Sequence, residues 1–259
     1  MSGSKALVVG ATGIIGGGLM RHLAQADGFS VIGVSRSGGA AVSGHATLAV
    51  DLLDPRDCER MLGPLTDVEH VFFAAYQWQP NRADEVGPNT AMLANVVDAV
   101  TAASPALKSV VLVTGAKMYG MQWGPSRTPM RESDPRHLPP NFYYAQEDLL
   151  RERQRGQAWS WSNLIPPFVT GFAVGNAMNV VMAVAVYATI SKELGLPLRF
   201  PGSESAYRAL QHFADAGQVA AAAAWAAREP GAANQAFNVA NGDPTRWQHL
   251  GPASPGSSA

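Results

Sequence analysis

Val8-Val9-Gly10-Ala11-Thr12-Gly13-Ile14-Ile15-Gly16 is the stretch that decides the fold. Residues 6–9 before the first glycine read as a buried strand, and residues 16–25 as a helix. The glycines fall at G-x-x-G-x-x-G between them, and each has a physical use. Gly10 permits a tight turn, Gly13 lets the backbone approach a pyrophosphate, and Gly16 lets helix and strand pack closely. The helix N-terminus attracts the anion. A glycine-rich turn without a ligand is the plain alternative, but the strand–turn–helix context is what dinucleotide binding requires. Gly10, Thr12, Gly13, Ile14, Ile15 and Gly16 are therefore the first cofactor-binding candidates.

Outward from this loop the chain keeps alternating. Strands are expected at 30–34, at 46–50 ending in Asp51, and at 70–75. Further strands are expected at 109–114, at 159–165 and at 236–239. Val110-Val111-Leu112-Val113 is continuously apolar, as in a parallel strand covered on both faces. Helices are expected at 55–62 with Asp54 as N-cap, at 90–103, 143–154, 177–190 and 218–228. The pattern predicts an α/β protein: a Rossmann-type doubly wound parallel sheet with helices on both faces. Residues 1–250 read as one NADP-binding domain, with a partial substrate-binding part at about 165–235. A Pro-rich loop occupies 121–140, and 251–259 has the composition of a flexible tail.

The end of the second strand selects the cofactor. An acidic residue there would bind the ribose 2′-hydroxyl of NAD. This chain has Gly33-Val34-Ser35-Arg36-Ser37 instead. Arg36 can hold a 2′-phosphate with two charge-assisted bonds and Ser35 can add a third, with Ser37 beside them, so NADP(H) is expected. Asp51 and Leu52 fall where the adenine lies. Ala74, Ala75 and Tyr76 should run beside the ribose and diphosphate, where small residues let the backbone come close.

Composition sets the outer bounds. The 259 residues carry 19 Lys+Arg against 20 Asp+Glu, a net charge of −1, which excludes a general nucleic-acid binder. Hydrophobic residues at 47% supply a core, whereas charged residues at 15% imply a neutral surface or a face covered by a partner. Cys58 is the sole cysteine, so neither an internal disulfide nor a cysteine-ligated zinc is available. The six histidines show no metal-ligand spacing. Nothing at the N-terminus resembles a signal peptide, and a cytoplasmic protein is expected. Residues 156–191 lack any charge, but Pro166, Pro167, Gly171 and Gly175 break the run below the ~18 residues of a membrane span. A buried strand followed by a buried helix is the reading.

Thr114-Gly115-Ala116-Lys117-Met118-Tyr119-Gly120 follows the fifth strand, and Asn141-Phe142-Tyr143-Tyr144-Ala145-Gln146-Glu147-Asp148 comes later. Ordinary short-chain dehydrogenases carry Tyr-x-x-x-Lys on one helix. Here Glu147 stands four residues after Tyr143, and a lysine occurs instead at Lys117. In this combination the chain resembles the progesterone 5β-reductase/iridoid synthase-like family, an atypical branch of the extended short-chain dehydrogenases. Further matching pieces are Val34-Ser35-Arg36, Trp161-Ser162, Gly171-Phe172, Met178-Asn179, the run 195–202 and the run 236–243.

The resemblance implies NADPH-dependent 1,4-reduction of an activated C=C bond in an enone or enal. It makes Tyr143 and Lys117 the catalytic residues, with Tyr144 as the fallback tyrosine. Thr114, Lys117, Tyr143, Pro166 and Val169 join the cofactor contacts. A tyrosine hydroxyl aimed at the carbonyl oxygen would stabilise the enolate, and a nearby ammonium would strengthen the donor. The family's Lys-His-Tyr is Lys117-Met118-Tyr119 here, and its His-Arg-Pro is Leu164-Ile165-Pro166. Its substrate-covering portion beyond the Asn-Gly-Asp segment is expected to be shortened. A carbonyl reductase with the same machinery and a non-catalytic NADP-binding sensor are the alternatives. An epimerase is disfavoured because its Tyr-x-x-x-Lys is missing. Analogy with short-chain dehydrogenases also suggests a homodimer through helices 90–103 and 143–154.

Overall fold

In the computed structural model, which describes residues 3–26, 28–38, 44–45, 47–124, 126–175 and 179–250, the alternation becomes a doubly wound sheet. The strands are β1 (Ser4–Val9), β2 (Phe29–Ser35), β3 (Thr47–Ala49), β4 (Val68–Phe73), β5 (Ser109–Val113) and β6 (Ser160–Ile165). They continue as β7 (Phe168–Thr170), β8 (Leu210–Gln211), β9 (Phe213–Asp215), β10 (Gln235–Asn238) and β11 (Thr245–Arg246). The helices are α1 (Ile14–Gln25), α2 (Pro55–Leu62), α3 (Arg82–Ala103) and α4 (Phe142–Gln154). After them come α5 (Val180–Glu193), α6 (Glu204–Arg208), α7 (Ala216–Ala226) and α8 (Trp247–Leu250). The main sheet has the order β10-β6-β5-β4-β1-β2-β3, all pairs parallel. The strand order switches direction between β1 and β4, and the carboxyl ends of those strands open the crevice where such sheets bind ligands.

Why these strands sit centrally follows from their period of two. Leu7, Val9, Val71, Phe73, Val110 and Leu112 face one core, packed with Leu62, Leu93, Val96 and Leu150 from α2, α3 and α4. The intervening Ala6, Val8, Phe72, Val111 and Val113 face the other, with Leu19, Met20 and Leu23 of α1 and Val219 and Ala223 of α7. Each such buried aliphatic or aromatic side chain stabilises by roughly 1.5–3 kcal/mol. Both faces being covered, the central stretches 6–9, 71–73 and 110–113 are continuously apolar.

Two expectations need correction. The helix expected at 90–103 begins at Arg82, and Pro88 lies inside it. Asn81 caps the earlier start by accepting from Ala83 N–H, and Asp84 and Glu85 suit the first turn. The buried Asn89 then ties the helix to Gln77 through bonds in both directions, each 2.8 Å. The helix expected to be buried after the sixth strand is instead solvent-facing. In α5 only Ser191 is buried, and Val181, Met182, Val186 and Ile190 are exposed. Both faces of the sheet are already occupied by α1 and α7 and by α2–α4, so α5 finds no sheet surface to cover. Ala177 and Met178, placed in that helix or in the family match, lie outside the described residues, as does the tail expected at 251–259.

Candidate cofactor and active site

The turn after β1 is built as its glycines require. Gly10 has φ +86°, a region that side chains rarely adopt. A Cβ there would stand 2.8 Å from Ala75 N and 2.9 Å from the Ala74 carbonyl carbon. The ends of β1 and β4 thus touch through backbone, which explains the small residues on both. Gly13 donates its N–H to Gly10 O at 3.0 Å and caps α1. Among the described residues, α1 has no side-chain cap and no acid in its first turn. By contrast α2, α3, α4, α5 and α7 are capped by Asp54, Asn81, Asn141, Asn179 and Asp215. The first-turn N–H groups of α1 therefore remain available to an anion, and the turn fits a pyrophosphate. Thr12 is exposed at its rim, Ile14 is buried and Ile15 is half-buried.

At the end of β2, Arg36 and Ser37 are exposed. Ser35 departs from its expected role. Its hydroxyl is buried, lies 3.3 Å from Thr47 Oγ1 and accepts from Gly38 N–H, so it closes the turn rather than facing a phosphate. Arg36 is the exposed cation at this strand end that could reach a 2′-phosphate. Arg36→Ala is expected to weaken NADPH binding by about 1.5–3 kcal/mol, the range for bonds to a charged group, with little change for NADH. Titration of both cofactors by fluorescence checks this, and equal losses would contradict it. Asp51 is exposed and its Oδ1 accepts from Leu53 N–H, while Leu52 packs against the core.

Beyond β4 and β5, Lys117 and Tyr143, the residues expected to be catalytic, are joined through a line of aromatic rings. Lys117 sits on a 3₁₀ turn, Ala116–Tyr119, and its Nζ lies 5.7 Å above the Tyr76 ring. Tyr76 stacks on Phe142, with centroids 5.4 Å apart, and donates its hydroxyl to the buried Glu85. Phe142 in turn leans on Tyr143 at 4.2 Å. The Tyr143 hydroxyl lies 3.2 Å from where a Cβ on Gly115 would be, so that glycine gives it room. Burial and then the Glu85 carboxylate push Tyr143 above the ordinary tyrosine pKa. It therefore keeps its proton at neutral pH and can act as a donor.

Tyr144 turns the other way. Its hydroxyl donates to Met118 O and accepts from His137 N–H at 3.0 Å, so it is committed to structure. Thr114, expected beside the cofactor, is 4% exposed, and its hydroxyl donates to Asn163 Oδ1 at 2.8 Å. That side chain faces inward. Pro166 is buried and accepts from Ala116 N–H through its carbonyl, and Val169 lies on the short strand β7.

Three residues given no role by sequence reasoning matter here. Asn141 accepts from Tyr143 N–H as N-cap of α4 and donates Nδ2 to Lys117 O at 3.0 Å. An asparagine just before a helical run was the available signal. Glu85 and Asn163 carried no signal, because both act through contacts distant in sequence.

The parallel sheet, the glycine turn and the Tyr143–Lys117 neighbourhood define a Rossmann-fold protein of the short-chain dehydrogenase/reductase type. More narrowly, residues 51–253 match the PRISE-like Rossmann-fold domain, and the chain belongs to that family. An (S)-8-oxocitronellyl enol synthase of Nepeta racemosa is 38% identical over 260 residues, covering 95% of this chain and 67% of the relative. A 3-oxo-Delta(4,5)-steroid 5-beta-reductase of Arabidopsis thaliana is 36% identical, covering 95% and 67%. The chain spans about two thirds of the length of these curated relatives. Among solved structures, UDP-glucose 4-epimerase of Thermotoga maritima superposes with a TM-score of 0.75 at 21% identity, covering 95% of this chain and 80% of that one. RMD from Pseudomonas aeruginosa, complexed with NADPH, gives 0.74 at 20%, covering 95% and 82%. These two likenesses show the fold.

Proposed function

We propose that the chain is an NADPH-dependent reductase of activated C=C bonds, carrying out 1,4-reduction of enones or enals. The observation that carries this reading is that a protonated Tyr143, its hydroxyl against Gly115, and Lys117, two residues on, are linked through Tyr76 and Phe142, with Tyr-x-x-x-Lys replaced. By its name, the Arabidopsis relative reduces a 3-oxo-Δ4,5-steroid at carbon 5, which is the same bond type. Gly10, Gly13, Gly16 and the α1 N-terminus hold the pyrophosphate, and Arg36 with Ser37 holds the 2′-phosphate. Bound NADPH supplies the hydride. Tyr143 donates a hydrogen bond to the substrate carbonyl oxygen, where negative charge builds as the enolate forms. Lys117 adds a positive charge nearby, which strengthens that donor in a site of low dielectric.

The test is NADPH consumption with a panel of enones, enals and ketones, followed by product identification. A saturated carbonyl product supports the reading. An allylic alcohol would point to direct C=O reduction, and no turnover of any member would remove the enzymatic reading.

Residues 1–250 are read as one NADP-binding unit, with about 165–235 forming part of the substrate site. Among the described residues no helix is long and apolar enough to cross a membrane. A cytoplasmic location and a homodimer through α3 and α4 complete the reading. Asp98 and Arg153 already join those two helices by bonds of 2.8 and 3.2 Å within one chain, which makes them one rigid face. Light scattering at micromolar concentration should give twice the chain mass, and a monomer mass refutes the pairing.

A further inference from the structure

A lysine on a loop is a poorer instrument than a lysine on a helix. Its backbone is not fixed by the i→i−4 ladder, and small displacements of a catalytic group are costly. The 3₁₀ turn carrying Lys117, with the residue that leads into it, is nonetheless held at three points, two at the start of α4 and one through β6. Asn141 Nδ2 donates to Lys117 O, and the Tyr144 hydroxyl donates to Met118 O. The third point is Thr114, whose hydroxyl donates to Asn163 Oδ1. Asn163, fully buried on β6, is itself oriented by donating Nδ2 to Glu147 Oε2 at 2.8 Å.

Glu147 occupies the helix position that carries lysine in Tyr-x-x-x-Lys. It is 5% exposed, and its other oxygen, Oε1, accepts from Arg151 Nε and Nη2 at 3.1 and 2.8 Å and from Arg136 Nη2 at 3.2 Å. Two guanidinium groups thus fix one end of the carboxylate while the other end fixes Asn163. A buried carboxylate so fully partnered is held in one orientation. Arg136 also lies over the Tyr144 ring at 4.9 Å, so the same cation braces the second clamp.

We propose that Glu147 is a positioning residue for Lys117: the carboxylate at the lost lysine position anchors, through Asn163 and Thr114, the loop that carries the replacement lysine. The proposal rests on the reading of Lys117 as part of the reducing site. It goes beyond that reading by assigning a role to a residue to which that reading gives none.

Glu147→Gln tests it with little change of shape. The carboxylate accepts on both oxygens, but an amide has one acceptor end, so it can serve Asn163 or the arginines and not both. Turnover with an accepted enone is expected to fall about tenfold, with NADPH Kd and substrate KM near parental values. In a Lys117→Ala background the same change should cost nothing further, because it acts through Lys117. A readout free of substrate accompanies it. Acetylation of Lys117 by acetic anhydride, followed by mass spectrometry with Lys108 and Lys192 as references, should be several-fold faster in Glu147→Gln than in the parent.

Should Glu147→Gln fail to fold, Thr114→Val cuts the same link while leaving the ion pairs in place, and the same losses are expected. A folded Thr114→Val with parental turnover overturns the proposal, because no turn of an amide can restore that link. So does unchanged Lys117 labelling, or a loss that multiplies with Lys117→Ala. If the parent reduces no enone or enal, the functional reading fails separately, and the labelling still decides the anchoring.

Discussion

Tyr143→Phe is expected to lower turnover by roughly 10²–10³ while leaving NADPH affinity intact, the usual cost of deleting one oxyanion donor. The phenyl ring keeps the 4.2 Å contact with Phe142, so the variant removes the hydroxyl and little else. Lys117→Ala should also slow turnover. The double variant should lose less than the product of the single losses, because both groups act on the same developing charge. Substrates with a strongly electron-withdrawing group should suffer least. Tyr144→Phe is the control: it loses the bond to Met118 O and should slow turnover far less. Steady-state rates with one enone decide the matter. Parental rate in Tyr143→Phe, with Tyr144→Phe dead, would make the other tyrosine the donor, and parental rate in both would remove the enolate mechanism.

The raised pKa of Tyr143 bears on its protonation state. A tyrosine meant to take up a proton must lose its own near neutral pH. Here burial and the Glu85 carboxylate hold the proton on the oxygen. The hydroxyl is therefore a neutral hydrogen-bond donor, and strengthening it against a developing negative charge falls to a nearby cation such as Lys117. Tyr76 is pushed the same way, by burial first and then by its bond to Glu85, so it too stays neutral, its hydroxyl donating to Glu85.

How much of this was legible in the sequence depends on how far apart the interacting residues are. The strand–glycine–helix unit is local, and the β1 turn, α1 and the period-two strands followed directly from spacing. The cap of α2 by Asp54 was equally local. The start of α3 escaped a reading based on apolar spacing because its first turns are polar and contain Pro88, whereas Asn81 and Asn89 supply the bonds that hold it. The α5 segment misled because lack of charge was read as burial, and burial depends on what other elements leave uncovered. Within the site, the family resemblance pointed to Lys117 and Tyr143. Their orientations did not follow, since Ser35, Thr114 and Tyr144 turn inward through partners 12, 49 and 26 positions away.

Gly16→Ala should damage cofactor binding as severely as Tyr143→Phe damages chemistry. The methyl group would overlap Gly10 O, and it would stand 2.6 Å from the Gly10 carbonyl carbon and 2.9 Å from Ala11 Cα. All three atoms are backbone of the turn itself, so no side chain can swing aside. Either the turn opens or α1 shifts, and each moves the first-turn N–H groups from the pyrophosphate position. Overpacking of this kind costs about 1–3 kcal/mol of stability and sometimes more. NADPH Kd should rise by roughly 10²–10³, or about 2.7–4.1 kcal/mol. Gly17→Ala is the matched control one residue on. Its methyl would meet nothing closer than Arg21 Nη1 at 3.5 Å, an ordinary contact with a flexible side chain. In a helix interior, alanine is favoured over glycine by roughly 0.5–1 kcal/mol. Gly17→Ala should therefore raise the melting temperature and leave NADPH Kd unchanged. Thermal melts with and without NADPH compare the pair, and equal behaviour of the two variants would mean that close packing at Gly16 is not what shapes the turn.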